Sequence, residues 1–465
     1  MSERKPSTLE AFLPFLVMAV LLGVGYGIYR LRIEVLLIIA ATVAGLVALR
    51  LGYTWVELQA GIIEGIAKAL PAVLILVSVG ALISTWIAAG TIPYLVRFGL
   101  HTISPRFFLV TACMLCSLVS LFTGTSWGTV GTMGIALIGV AAGLGVPLGA
   151  AAGAVVSGAY FGDKLSPFSD TTNLAPVAAQ ANLFDHIRHM LWTTLPAWTL
   201  GLLVYLVVGF WSHGAESPQR VAAIMETLDS AFVMSPWVLL PLPVVLYFAL
   251  RQRPTIPGIL LASAVAAVIA VVVQGEGLTT VVEAMVTGYV PHTGDPAVDG
   301  LLSRGGMAPM MEVTLIVFAA FSFAGIAGRA GLLDVALSYL LRATRTTGQL
   351  LAATVSSTIF TALITGSSYL TILMPGELFA PAFRQRNLAA KNLSRTLEDS
   401  GTVVVPLIPW AAAGVFMAAT LDVPTLEYLP WAVFNYTGFV FAIVYGFTGV
   451  GIAERIREDE TLPGS

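Results

Sequence analysis

Apolar residues run along this chain in blocks long enough to cross the roughly 30 Å hydrocarbon core of a bilayer, and polar residues collect at the ends of those blocks. The blocks fall at about residues 11–29, 33–50, 69–89, 106–123, 126–145, 148–162, 190–211, 235–250, 255–274, 307–328, 349–366, 367–383, 401–420 and 430–450, about fourteen in all. The sixth and twelfth are short or interrupted by Gly and Pro, which predicts half-helices or re-entrant hairpins rather than simple spans. The pattern predicts an all-α polytopic membrane protein. A short charged start, residues 1–10, precedes a first helix with no small-residue cleavage site, so that helix is expected to be retained.

The chain repeats itself. Tyr26–Arg32 (YGIYRLR) lies over Tyr247–Arg253 (YFALRQR) at an offset of 221, Ala89-Gly90 over Ala330-Gly331 at 241, and Thr123–Ser126 (TGTS) over Thr365–Ser368 (TGSS) at 242. An extra loop around residues 292–306 absorbs the change of offset, and the polar stretch around Asp170 has a counterpart in Glu398–Thr402 (EDSGT). Each copy holds seven segments, an odd number, so the second must enter the membrane from the opposite side. The expected architecture is an inverted-topology repeat with broken helices, whose polar interruptions face one another near the midplane. The expected units are a first transmembrane repeat over 11–211, an extracytoplasmic linker 212–234, a second repeat over 235–450 and a cytoplasmic tail 451–465. With the N-terminus inside, 17 of the 23 Lys and Arg fall on the cytoplasmic side, which favours both termini in the cytoplasm.

Composition agrees and narrows the field. The chain is 57% hydrophobic and 11% charged, against about a quarter charged in soluble proteins. A net charge of -3 and scattered basic residues give nucleic acid no surface. Cys113 and Cys116 lie inside an apolar run, where packing is the expected role.

One stretch concentrates the chemistry. Ser157–Pro176, SGAYFGDKLSPFSDTTNLAP, follows a Gly-rich run (Gly139, Gly143, Gly145, Gly149, Gly153, Gly158, Gly162) that lets helix backbones approach closely. It carries Asp163, Lys164 and Asp170 among Ser169, Thr171, Thr172 and Asn173, and breaks at Pro167 and Pro176. Helix capping alone would explain an Asp beside Ser and Thr, but two carboxylates, several hydroxyls and a carboxamide exceed what a cap needs. Hard cations such as Na+ favour this oxygen set, and the expected Na+ ligands are Asp170, Thr171 and Asn173. The uncharged TGTS and TGSS corners, with Thr123, Thr125, Ser126, Thr365, Ser367 and Ser368, read as bends inside the protein rather than surface turns. Glu398 and Asp399, with Ser400 and Thr402, are a second candidate group, although an acid pair at a helix N-terminus is also ordinary. Glu312 and Glu377 are further acids within apolar segments. Gly124–Gly128 fits G-x-S-x-G, but it lacks the preceding strand and a nearby base; His101, His186, His189, His213 and His292 all fall in loops or at segment ends. No enzymatic site is expected.

The stretch Ser157–Pro176 closely resembles the signature of the NhaC family of Na+/H+ antiporters, and Leu397–Thr402 (LEDSGT) resembles its second-half motif, with likeness in length and hydropathy over roughly 10–450. The resemblance implies a multi-pass carrier of the cytoplasmic membrane that expels Na+ in exchange for protons. Its partners would be the lipid bilayer, Na+ and H+, with no cofactor. The family also holds exchangers of small carboxylates such as malate and lactate, so a carboxylate cargo stays open, as does a homodimer. Proton and Na+ would compete for Asp170, with Asp163, Glu398 or Asp399 as a second coupling carboxylate. Lys164 and Arg395 are the basic residues nearest these motifs.

Overall fold

A computed structural model describes residues 4–211, 218–342 and 344–454. Residues 212–217 of the expected linker, with His213, and residues 455–465 of the tail, with Arg455 and Arg457, lie outside the described residues, as do 1–3. The described chain is helical throughout. Capping boxes start several helices: Ser7 with Glu10, Thr54 with Glu57 and Thr346 with Gln349 each exchange side-chain and backbone hydrogen bonds, satisfying N–H groups that the first turn leaves free.

Among the described residues, nine helices are long and apolar enough to cross a membrane, or twelve if each of three bent pairs counts as one crossing. Leu148–Leu165 and Ser368–Gln385, 18 residues each, are as long but more polar. Every one of the fourteen expected segments therefore falls on a helix or a bent pair. The loop that absorbs the change of repeat offset holds a short helix, Pro296–Leu302.

The two halves bend at the same places. Left-handed backbone occurs at Arg30 and Gln252 (φ 56° and 51°), Gly90 and Gly331 (80° and 65°), Gly124 and Gly366 (68° and 61°), and Gln180 and Asp422 (62° and 56°). Such conformations are uncommon outside glycine, so four matched pairs in chain order mark a repeated backbone and not a coincidence of composition. The matched helices Trp55–Ala88 and Met307–Arg329 pack against each other antiparallel. A Cβ on Gly61 would lie 2.8 Å from the Gly325 carbonyl oxygen, one on Gly65 2.3 Å from that of Phe321, and one on Gly80 2.4 Å from that of Gly306. Numbers rise on one helix as they fall on the other. Equivalent helices in antiparallel contact are related by a two-fold axis perpendicular to both, hence lying in the membrane plane, and the pairing meets itself near residues 72–73 and 313–314. Inversion is thus visible in the packing of this crossing, which small residues make possible.

Each half also contains a helical hairpin whose tip is TGTS or TGSS, followed by a helix with a central break. In the first half the hairpin arms are Phe108–Thr123 and a run starting at Ser126, and the broken helix is Leu148–Leu165 then Asp170–Ala179. In the second the arms are Thr347–Thr365 and Ser368–Gln385, and the broken helix runs over 390–407 and then Ala412–Leu421, with a 48° bend. The tips sit in the breaks. A Cβ on Gly124 would be 2.7 Å from Phe168, one on Gly366 would be 3.2 Å from Ala411, and the Ala412 N–H donates to the Gly366 carbonyl at 3.1 Å. Bends of this kind are buried inside the protein, where backbone groups freed by the break find partners.

This arrangement corrects one pairing. Asp170 begins the helix after the first break, and its counterpart across the repeat is Ala412, not the Glu398–Thr402 motif. Those acids lie before the second break, where the same offset sets them opposite Val156 and Ser157 in the middle of Leu148–Leu165, upstream of Asp163 and Lys164. Matching polar residues by type misplaced the register; matching the breaks restores it.

Candidate functional site

The hairpin tips and broken helices of both halves meet at a cavity of about 380 Å3. Thr125, Ser126 and Trp127 line it from one tip and Ser367, Ser368 and Tyr369 from the other. Asp163, Asp170 and Thr171 enter from the first broken helix and Thr402 from the second. Ala72, at the midpoint of the antiparallel crossing, also lines it, which puts the cavity beside the two-fold axis. A neighbouring cavity of about 260 Å3 shares Thr125 and Asp170 and is bounded by Thr123, Gln252 and Arg253.

Asp163 is 8% exposed. One carboxylate oxygen accepts hydrogen bonds from the Ser126 N–H (3.2 Å) and hydroxyl (2.7 Å), while the other has no partner. Asp170 is exposed; it accepts from the Thr171 N–H at 2.7 Å and from the Tyr369 hydroxyl, which joins the two halves across the cavity. Glu398 is buried behind the lining and accepts from Thr171 (3.3 Å) and Thr402 (2.8 Å), leaving its second oxygen unpartnered.

Asp399 is set apart from the cavity. Its side chain pairs with Lys164 at 0% and 1% exposure, accepts from the Thr193 hydroxyl at 2.8 Å, and lies 3.9 Å from the Arg395 guanidinium. Three buried carboxyl groups, Asp163, Glu398 and Asp399, therefore share this interior with two buried cations, Lys164 and Arg395. Burial of unpaired charge is costly, so the excess carboxyl group needs a proton or a bound cation.

The remaining expected site residues have other tasks. Asn173 donates to the Pro167 and Ser169 carbonyls at 2.8 and 2.6 Å and does not line the cavity, so the structure groups Asp170 and Thr171 with Asp163 and Ser126 rather than with Asn173. Ser169 and Thr172 close the first break: Ser169 accepts from the Thr172 N–H at 3.4 Å, and the Thr172 hydroxyl reaches the Asp163 and Lys164 carbonyls at 3.2 and 3.1 Å. Thr365 bonds back to the Thr361 carbonyl and Ser400 to that of Thr396, with Thr358 at 2.5 Å from the Ser400 hydroxyl.

Two lining residues, Tyr369 and Lys68, escaped the sequence reading, and two buried histidines lie away from the cavity. Tyr369 directly follows TGSS. Lys68 lines the cavity and forms an ion pair with Glu64 one turn earlier, at 2.8 Å. His186 and His189 stand near the start of the helix Leu183–Trp211, at a segment end as expected, and are buried there, bonded to Ser394 (2.8 Å) and Asn392 (3.1 Å). Their H-x-x-H spacing, which places both on one helix face, was the available signal.

Residues 158–450 match the Na+/H+ antiporter family. An uncharacterized Na(+)/H(+) antiporter of Haemophilus influenzae is 44% identical over 97% of this chain and 98% of its own length. The Na(+)/H(+) antiporter NhaC of Alkalihalophilus pseudofirmus is 38% identical over 97% and 98%. A malate-2H(+)/Na(+)-lactate antiporter of Bacillus subtilis is 36% identical over 90% of each chain. With matched bends, antiparallel repeats and near full-length relatives, this multi-pass membrane protein belongs to the Na+/H+ antiporter family.

Proposed function

We propose that the protein is a secondary active transporter that exports Na+ in exchange for protons by alternating access, in the cytoplasmic membrane with both termini inside. The carrying observation is Asp163: a buried carboxylate with one oxygen held by Ser126 and the other unpartnered, on a hydroxyl-lined cavity beside the axis relating the halves. Oxygen ligands suit Na+, and one carboxylate cannot hold both a proton and Na+. Competition at such a site, in a carrier that reorients only when occupied, is sufficient for antiport. Asp170 stands toward the mouth with Tyr369. The neighbouring cavity's Gln252 and Arg253 lie on the side assigned to the cytoplasm by the charge bias, which supports an inward-facing form. The moving units in this reading are the halves 11–211 and 235–450.

The test uses proteoliposomes holding the full chain and a pH-sensitive dye. Na+ added to one side should drive protons the other way; Asp163→Asn should abolish this, and Asp170→Asn should weaken or abolish it. Wild-type exchange in both variants would refute the site.

A second reading, ion-coupled exchange of a small carboxylate, is favoured by Lys68 on the cavity wall and Arg253 beside it. Lys164 and Arg395 do not support it, because both are committed to Asp399 and neither lines the cavity. Strict dependence of Na+ flux on added malate, lactate or a similar anion would select this reading; Na+/H+ exchange without any organic anion would reject it.

A further inference from the structure

Asp399 and Lys164 do not line the cavity, and they are bordered by a second polar feature. Between the helix Leu183–Trp211 and residues 390–402 runs a seam of paired side chains: His189 with Asn392, His186 with Ser394, and Thr193 with Asp399. His186, Ser394, Thr193 and Asp399 are all 0% exposed, and His189, at 7%, is the most accessible member. Buried polar atoms without a hydrogen bond gather here: His186 Nε2, Thr194 Oγ1, Arg395 Nη2 and Glu398 Oε2, with Arg395 Nε and Asp399 Oδ2 facing each other only at 3.9 Å. An unsatisfied buried donor or acceptor costs roughly 1–3 kcal/mol, and buried water bonded to two to four such groups removes that cost. Packing for stability alone would place apolar residues along this interface.

At the outer end the seam is covered by the last described residues. The Asn392 carboxamide exchanges hydrogen bonds with the Ala453 backbone at 2.6 and 2.9 Å, and Arg395 donates to the Gly451 carbonyl at 2.7 Å. This end lies with the C-terminal segment, on the side assigned to the cytoplasm.

We propose that the seam is a proton path between the Lys164–Asp399 pair and the cytoplasmic side, separate from the cavity that takes the cation. His189, His186 and Thr193, joined by water bonded to the unpartnered atoms, relay the proton. Each relay group accepts one proton and releases one, so none is consumed and no redox partner is needed. The division is one of routes: the cation reaches Asp163 through the cavity, and the proton that competes with it reaches the buried carboxyl groups through the seam by way of Asp399. This inference rests on the antiporter reading, and the experiment separates the two.

Isotopic Na+/Na+ exchange and Na+-driven proton movement are measured on the same proteoliposomes for wild type, His186→Leu and His186→Gln. Plugging the seam with an apolar side chain should slow Na+/H+ exchange by about a hundredfold, the lower end of what a positioned proton-transfer group supplies, and leave Na+/Na+ exchange within about twofold of wild type. His186→Gln, which keeps a hydrogen-bonding side chain, should recover a large part of the proton flux, and that flux should slow in D2O more than Na+/Na+ exchange does. Equal loss of both fluxes in His186→Leu would make the histidine structural, and no loss in either would remove the path; both results overturn the proposal. Wild type that exchanges Na+ for Na+ but moves no protons would instead overturn the antiporter reading, and the path with it. Preserved Na+/Na+ exchange doubles as the folding control.

Discussion

The Lys164–Asp399 pair ties the halves together, and replacing its members should reveal how much each charge depends on the other. Lys164 is 1% exposed, with the Phe434 ring 5.8 Å from its ammonium, so Asp399→Asn removes the carboxylate it pairs with and leaves a buried ammonium under-compensated. Breaking a buried pair from one side costs about 3–5 kcal/mol, and a cation–π contact returns only about 0.5–2 kcal/mol. Lys164→Met should cost less, because Asp399 keeps the Thr193 hydroxyl at 2.8 Å and has Arg395 at 3.9 Å to move toward it. Removing both charges in Lys164→Met/Asp399→Asn should restore much of the stability, though not transport, with a coupling energy of about 2–3 kcal/mol. Equilibrium unfolding in mixed micelles, followed by tryptophan fluorescence, supplies the cycle. Losses from the two single changes that add to within about 0.5 kcal/mol, or a costlier Lys164→Met than Asp399→Asn, would refute the reasoning.

Ser126→Ala removes the shorter of the two hydrogen bonds to Asp163 and should raise the half-saturating Na+ concentration by about tenfold, the equivalent of roughly 1.4 kcal/mol, in the proteoliposome assay. Gly124→Ala forces a side chain onto left-handed backbone and into Phe168, so it should sharply reduce Na+ exchange, whereas Gly23→Ala, where a Cβ meets nothing within 4 Å, should not. Tyr369→Phe deletes the hydrogen bond that crosses the cavity to Asp170 and should change the rate of exchange more than the amount of protein that folds, measured by size-exclusion chromatography beside flux. Gly65→Val pushes against the Phe321 carbonyl at the antiparallel crossing and should lower both stability and transport.

Hydropathy made the helices legible because lipid imposes one rule on every span: apolar outside and backbone satisfied within. The repeat was legible for a related reason. A bend needs glycine or a hydroxyl cap, and TGTS, TGSS and the two Ala-Gly pairs spell bends in one-letter code. The site was only partly legible. Asp163, Asp170, Thr171, Ser126 and Thr402 stood in motifs and do line one cavity, but Asn173, in the same motif, does not line it and donates its amide N–H groups to the Pro167 and Ser169 carbonyls. The number of hydroxyls near Asp170 does not say which face the cavity and which close a break. Lys164 and Asp399 are 235 positions apart, and no local pattern pairs them. His186 and His189 do stand at a segment end, but hydropathy gave no sign that the start of the helix Leu183–Trp211 is buried against residues 390–402.

The matched bends carry a consequence for the shape this carrier must next adopt. Two halves of like backbone, set head to tail, differ here in how each packs around the cavity, which is bounded by Lys68 and Thr255 on one side. If residues 347–448 took the posture now held by 105–211, and the reverse, the same contacts would be remade upside down and the opening would appear on the opposite face. The second shape is therefore encoded in the first, and coordinates for the outward-facing form can be built by threading each half onto the other's backbone, then checked by cysteine cross-links placed to form in only one of the two.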